Sequence, residues 1–182
     1  MVRVCQSVSV TNEATDLVST LGGTVTKQNA SGPAWQEWLV TTWLGEGAFV
    51  EVNTLDLRKT KVTDDHLATV SALRYLREIL LDRCSITDAG LKRLSGLNQL
   101  ESVSVRYTQV SNAGLTTFSA MPSLECLRLT GTNIDDTGLL SISHLTSLTE
   151  VYARWTHVTP EGAAEIRNAI PKCVVHVQPV AK

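Results

Sequence analysis

Long apolar runs are missing from this chain. A membrane-spanning helix needs about 18 or more consecutive apolar residues. No such window occurs in the 182 residues, so no transmembrane helix is predicted. The start, M-V-R-V-C-Q-S-V-S-V-T-N, carries one positive charge and lacks the continuous apolar stretch of a secretion signal. A cytoplasmic location is the expectation. Excess charge of either sign is missing too. Lys and Arg number 16 and Asp and Glu 18, for a formal net charge of −2. That balance offers no attraction for nucleic acid or for an anionic membrane surface, and neither is an expected partner.

Closely spaced cysteines are absent. Cys5, Cys84, Cys126 and Cys173 lie far apart, and none sits in C-x-x-C spacing. A disulfide framework or a zinc site wants denser spacing, so free and mostly buried thiols are expected. Catalytic signatures are absent as well. No H-E-x-x-H, H-x-x-E-H, G-x-S-x-G or phosphate-loop pattern occurs. His66, His144, His157 and His176 fall in four different contexts. No enzyme, metal or cofactor is expected, and a small hydrolase stays as the weakest alternative. Aromatic residues make up only 5%, yet four of them are Trp.

What is present is a period. Leu55, Ile79, Val103, Leu127 and Val151 each stand 24 residues after the one before. Two residues further on come Leu57, Leu81, Val105, Leu129 and Ala153. A fixed period of this length is the mark of a solenoid, in which each unit buries its apolar face against its neighbours. One unit, Leu76 to Gln99, serves for all. Ile79 and Leu81 point one way from a short strand, while Glu78, Leu80 and Asp82 point the other. Cys84 and Ile86 turn back into the core. Thr87 then caps a short helix, and Asp88 stands in its first turn, where the helix dipole favours an acid. Leu91 and Leu94 form the buried stripe.

The same places elsewhere hold caps at Thr63, Ser111, Asp135 and Thr159, and core residues at Leu67, Leu115, Leu139 and Ala163. Thr159-Pro160-Glu161 has the order a helix start favours: cap, proline at the first position, then an acid. Asp64-Asp65 and Asp135-Asp136 are explained the same way, by capping and dipole. Gly90, Gly114, Gly138 and Gly162 precede the core residues, whereas the first unit has His66. That first turn is expected to be the least regular. Cys173 to Val177 makes a terminal strand, whose register is open by one residue because Pro171 matches Pro122 only with an insertion.

Residues 1–51 lie outside the clean period. Val2, Val4, Val8 and Val10 alternate as in a strand. Asn12 is placed to cap a helix ending at Gly22-Gly23, with Ala14, Leu17, Val18 and Leu21 on one face. Thr24 to Lys27 reads as a short strand and Gln28 to Gly32 as a loop. Pro33 opens a second helix carrying Trp35, Trp38 and Leu39, whose spacing is core spacing. The reading is an N-terminal helical cap over 1–51 and a solenoid of about five repeats plus a terminal strand over 52–177, together one structural domain.

The pattern L-x-x-L-x-L-x-x-T-x-I-T-D-x-G-L-x-x-L-x-x-L resembles leucine-rich repeats, specifically the T-D-x-G-L type common in bacterial proteins. Cys84-Ser-Ile-Thr-Asp-Ala-Gly-Leu is also similar to the cysteine-containing repeats of F-box substrate receptors, although no F-box-like segment is evident. The resemblance implies an α/β solenoid with a parallel sheet on its concave face and short helices on its convex face. It also implies a protein-interaction role: a non-catalytic module that binds a protein or peptide on the concave surface. The alternative is an adaptor or structural segment of a larger signalling or substrate-receptor protein.

On that geometry the outward strand positions form columns. One reads Asp56, Leu80, Ser104, Arg128, Tyr152, and the next Arg58, Asp82, Arg106, Thr130, Arg154. Just beyond lie Lys59, Arg83, Tyr107, Gly131, Trp155. Arg, Tyr and Trp dominate binding hot spots because they join contact area to directed hydrogen bonds. The expected binding residues are therefore Arg58, Asp82, Arg106, Tyr107, Arg128, Tyr152, Arg154 and Trp155, and the expected partner is a protein or peptide of acidic character. Against this stands a solvated face with cross-strand pairs such as Arg58 beside Asp82. The strand alternation has its own test. Leu81→Ala should cost roughly 2–5 kcal/mol in urea unfolding, and Leu80→Ala far less. Equal costs at the two sites would overturn the alternation.

Overall fold

A computed structural model describes residues 15–29 and 50–178, with side chains omitted at 27–29 and 50–51. The expected Asn12 cap, the Val2–Val10 strand and the Trp35/Trp38 helix lie outside the described residues. Residues 15–20 are helical. Gly22, at φ +78°, ends that helix, and Gly23 donates back to the Val18 carbonyl at 2.9 Å. Strand β1 (Thr24–Asn29) follows. It runs two residues past its expected end, taking Gln28 and Asn29 out of the expected loop. It pairs antiparallel with β2 (Val50–Asp56), Val25 opposite Leu55, with an irregularity at Thr26/Lys27. The reversed strand covers one edge of the sheet, whose exposed backbone groups would otherwise invite pairing with another chain.

From β2 onward the period takes over. Asp64–His66 form a 3₁₀ turn that runs into α1 (Leu67–Val70). There follow β3 (Glu78–Leu80), α2 (Asp88–Arg93), β4 (Ser102–Ser104), α3 (Asn112–Phe118), β5 (Cys126–Arg128), α4 (Asp136–Leu140), β6 (Glu150–Tyr152), α5 (Pro160–Ala169) and β7 (Val174–His176). The strands lie in sequence order in a single sheet, and β2 to β7 are all parallel. Each residue pairs with the one 24 positions on: Ile79 with Val103, Val103 with Leu127, Leu127 with Val151. The last strand keeps this register, Val151 against Val175 and Tyr152 against His176. The question left by Pro171 is thereby closed, and His176 falls on the open face of the sheet.

The core is one continuous column between sheet and helices. Ile79, Leu81, Ile86, Leu91 and Leu94 are all fully buried, as are their counterparts in the next coil, Val103, Val105, Val110, Leu115 and Phe118. Leu80 is only half-buried, so the alternation holds. Fully burying an aliphatic side chain is worth about 1.5–3 kcal/mol, and each coil buries several, so this column supplies most of the stability.

A second feature sets how the coils stack. The caps act as expected: Thr87 Oγ1 accepts from Ala89 N–H at 3.2 Å, Ser111 Oγ from Ala113 N–H at 3.3 Å, Asp135 from Gly138 N–H at 3.2 Å and Thr159 from Gly162 N–H at 3.1 Å. The acid after each cap reaches into the following coil. Asp64 accepts from the Thr87 N–H (2.9 Å) and hydroxyl (2.6 Å), and Asp88 from the Ser111 N–H (2.8 Å) and hydroxyl (2.6 Å). Asp136 does the same with Thr159, at 2.8 and 2.7 Å. Where the cap is itself an acid, Asp135, the upstream residue is Asn112. Its Oδ1 accepts from the Asp135 N–H at 3.1 Å while its Nδ2 donates to the Asp135 carboxylate at 2.8 Å. An amide there satisfies both groups, whereas a second carboxylate would repel the first.

This ladder also explains the glycines. A Cβ on Gly90, Gly114, Gly138 or Gly162 would collide with Asp64, Asp88, Asn112 or Asp136 of the coil before. Among the described residues no upstream Asp or Asn presses on His66, and its Nδ1 instead caps the Thr63 N–H at 3.1 Å. Asn112→Asp should accordingly lower the urea midpoint at neutral pH. The Asp135 carboxyl is held below its ordinary value, first by the Gly138 N–H and then by the Asn112 amide. A facing carboxylate would raise one folded-state pKa above its unfolded value, and a raised carboxyl gains folded stability as pH falls. The deficit should therefore shrink on acidification, and a deficit independent of pH would point to lost packing instead.

Candidate functional site

Each strand leaves the sheet through the same turn. The residue two beyond the second core position has positive φ in every coil: Lys59 (58°), Arg83 (59°), Tyr107 (56°), Gly131 (72°) and Trp155 (53°). Thr60 and Thr132 close the turn by donating to the carbonyls of Leu57 (3.2 Å) and Leu129 (3.1 Å), as in a type II turn, where this position favours glycine. A non-glycine residue in that conformation costs about 1–3 kcal/mol, and four coils bear that cost. The conformation lets the backbone ladder continue: Lys59, Arg83, Tyr107 and Gly131 donate to the carbonyls of Asp82, Arg106, Thr130 and Arg154 at 2.8–2.9 Å. Trp155 N–H donates to Gln178 Oε1 at 3.2 Å.

The five side chains form one row along the strand ends. The Arg83 guanidinium lies 4.5 Å from the Tyr107 ring centroid. The Tyr107 ring extends over Gly131, where a Cβ would approach its Cδ1 to 2.5 Å. Across that notch the Tyr107 and Trp155 rings stand 6.3 Å apart, tilted by 33°. Both stay accessible, Tyr107 at 40% and Trp155 at 59%. Arg154, next to Trp155, is exposed.

The remaining expected binding residues are engaged with neighbouring side chains of the sheet. Arg58 pairs with Asp56 at 2.6 Å rather than with Asp82, and its guanidinium holds the Asp56 carboxyl below its ordinary value. Asp82 does not stand free on the sheet face. It is buried, accepting from the Ser104 hydroxyl, from Arg106 N–H (3.2 Å) and from Arg106 Nε (3.0 Å). A buried carboxylate needs such partners, so Asp82 and Arg106 serve the sheet itself. Arg128 donates to Ser102 Oγ at 2.9 Å and lies 3.7 Å from Glu78. Tyr152 stacks on His176, centroids 4.4 Å apart, and donates to Glu150 at 2.9 Å, which raises its pKa. The structure thus brings Tyr107, Arg154 and Trp155 together at one edge, adds Arg83 and Gly131 to them, and ties Arg58, Arg106, Arg128 and Tyr152 into the sheet. The signal for the row was available in the sequence: a lone glycine in a column of large residues marks a left-handed turn.

The opposite, leading ends of the strands have different chemistry. Glu78, Glu101, Glu125 and Glu150 line a shallow groove of about 720 Å³, offset among its described lining residues by Arg77, which pairs with Glu101, and by Arg128. Cys126 lies half-buried in its wall. Among the described residues no group of three or more His, Cys, Asp or Glu gathers as a metal site would require. Nor is any helix there long and apolar enough to cross a membrane.

This is the geometry of an α/β repeat solenoid. A family model described as "Leucine Rich repeat" matches residues 120–143, one unit of the array. No curated protein matches the chain. Among solved structures it is similar to an internalin of Listeria monocytogenes, with TM-score 0.57 and 19% identity over 71% of this chain and 35% of that one. It therefore spans about a third of that protein's length. The ectodomain of the receptor kinase SOBIR1 from Arabidopsis thaliana gives 0.56 and 15%, over 93% and 91% of the two chains. The Arabidopsis HAESA ectodomain, solved with a peptide hormone ligand, gives 0.51 and 16%, over 96% and 33%. Residues 120–143 thus match a leucine-rich repeat, and the fold is the solenoid that these structures share.

Cys84, Cys126 and Cys173 are free, and burial raises all three thiol pKa values. The thiolate is the reactive form. Alkylation with iodoacetamide near neutral pH, mapped by mass spectrometry, should be slower at all three than at a free cysteine and fastest at half-exposed Cys126. Faster reaction at Cys84 or Cys173 would contradict their place in the core.

Proposed function

We propose that the protein is a non-catalytic binding module that receives a protein or peptide segment on its concave sheet surface. In this reading residues 1–51 close the first coil and residues 52–177 present the surface. The observation that carries it is the accessible Tyr107–Trp155 pair, held in strained turns and flanked by arginines. Strain persists where the surrounding structure over-determines it, and such positions cluster at ligand clamps. A fixed aromatic pair also loses little conformational freedom on binding. The peptide-bound HAESA neighbour is an instance of this fold taking a peptide. A second reading is a segment of a larger adaptor: the chain spans about a third of the internalin and HAESA chains, and 91% of the SOBIR1 ectodomain.

Selection of a random peptide display library on the purified chain tests the module. Enriched peptides should lose affinity with Tyr107→Ala or Trp155→Ala and keep it with the helix-side changes Lys92→Ala and Glu165→Ala. No enrichment, or loss confined to the helix-side variants, would sink the reading.

A further inference from the structure

The two ends of the strands differ in charge as well as in shape. At the leading ends stand four glutamates against Arg77 and Arg128. At the trailing ends Lys59, Arg83 and Arg154 have no ion pair among the described residues, and the two carboxylates nearby, Asp56 and Asp82, are taken by Arg58 and Arg106. The sheet is therefore polarised across its width, negative where the strands begin and positive where they end. A carboxylate ligand is repelled from one rim and attracted to the other.

The positive rim is also shaped. The Arg83 guanidinium sits over the Tyr107 ring and makes no side-chain hydrogen bond or ion pair among the described residues, so its N–H fork is available to a carboxylate, which arginine can take with two parallel hydrogen bonds. Tyr107 leans over Gly131, so the rings of Tyr107 and Trp155 form a floor, with Arg83 over Tyr107 and exposed Arg154 next to Trp155 in the chain. Parallel strands lie about 4.8 Å apart, so Arg83 to Trp155, three coils on, is about 14 Å. An extended peptide rising about 3.3 Å per residue covers that span in four to five residues.

We infer that the trailing rim, and not the centre of the sheet, is the recognition site. Its ligand is a short extended acidic peptide that crosses the coils with an apolar side chain on the Tyr107–Trp155 floor and carboxylates at Arg83 and Arg154. This rests on the binding-module reading and narrows it to one rim and one ligand charge. Gly131 is its specificity-determining position: a side chain there would push the Tyr107 ring off the floor. The backbone would tolerate it, since four other residue types hold the same turn.

Two fluorescein-labelled six-residue peptide pools provide the test, read by anisotropy at low salt. One alternates Asp or Glu with Phe, Tyr, Leu or Pro; the other replaces each acid by Lys. The acidic pool should bind, with the Lys pool about tenfold weaker or more. Trp155→Ala and Arg83→Glu should each weaken the acidic pool by about tenfold or more. Gly131→Ala should weaken it while the circular-dichroism melt still shows a cooperative fold, and Glu125→Gln on the opposite rim should leave it unchanged. Charge-blind binding, or acidic binding lost through Leu80→Ala but retained in Trp155→Ala, overturns the rim assignment and leaves the module standing. No binding of either pool, in a chain whose display selection also yields nothing, overturns both.

Discussion

Everything in this molecule depends on the contact between one coil's helix start and the next. A 24-residue coil buries its apolar side chains only if its neighbour sits in register, and hydrophobic contact alone does not choose a register. The acid after each cap does. Asp64, Asp88 and Asp136 hold both the N–H and the hydroxyl of the following cap. They can approach only because glycine faces them. Threonine, aspartate and glycine in the repeat are thus three parts of one joint. The core supplies more free energy, but the joint is directional, and it aligns the strands one for one across the sheet. The Asn112–Asp135 junction follows the same rule with its chemistry exchanged: when the cap gains a charge, the residue above it gives one up.

Regular stacking has a consequence at the far end of each strand. Identical turns repeat along one rim, and every side chain there is presented in the same left-handed conformation. Four coils accept the strain of a large residue, and the fifth supplies a glycine that leaves room for its neighbour's ring. The joint at the helix starts and the row at the strand ends are linked. A slip at the first would pull Arg83, Tyr107 and Trp155 out of line. The interior of the sheet, by contrast, spends its charges internally, with the Asp82 carboxylate enclosed by Ser104 and Arg106.

Most of the fold was legible. The period located the core, since Leu81, Leu91 and Leu115 are buried as expected, and the capping residues fell where their hydrogen-bonding chemistry placed them. The N-terminal edge was less so. β1 runs to Asn29 because β2 offers an antiparallel partner as far as Val50, and no local preference of Gln28 or Asn29 announces that pairing. The candidate site was legible only as columns. The columns found Tyr107, Arg154 and Trp155, yet they also put Asp82 and Arg106 on an open face, because alternation says which way a side chain points and not what encloses it.

The sequence by itself determined the period, the buried positions, the helix starts and the array of parallel strands, because each follows from local chemistry repeated at a fixed interval. Only the tertiary structure decided which acid meets which cap, which arginine is neutralised, and that Tyr107 reaches across Gly131 to Trp155. Apart from the Asp56–Arg58 pair, two positions apart, those outcomes depend on distances between residues 22 or more positions apart. Such distances exist only once the coils have stacked.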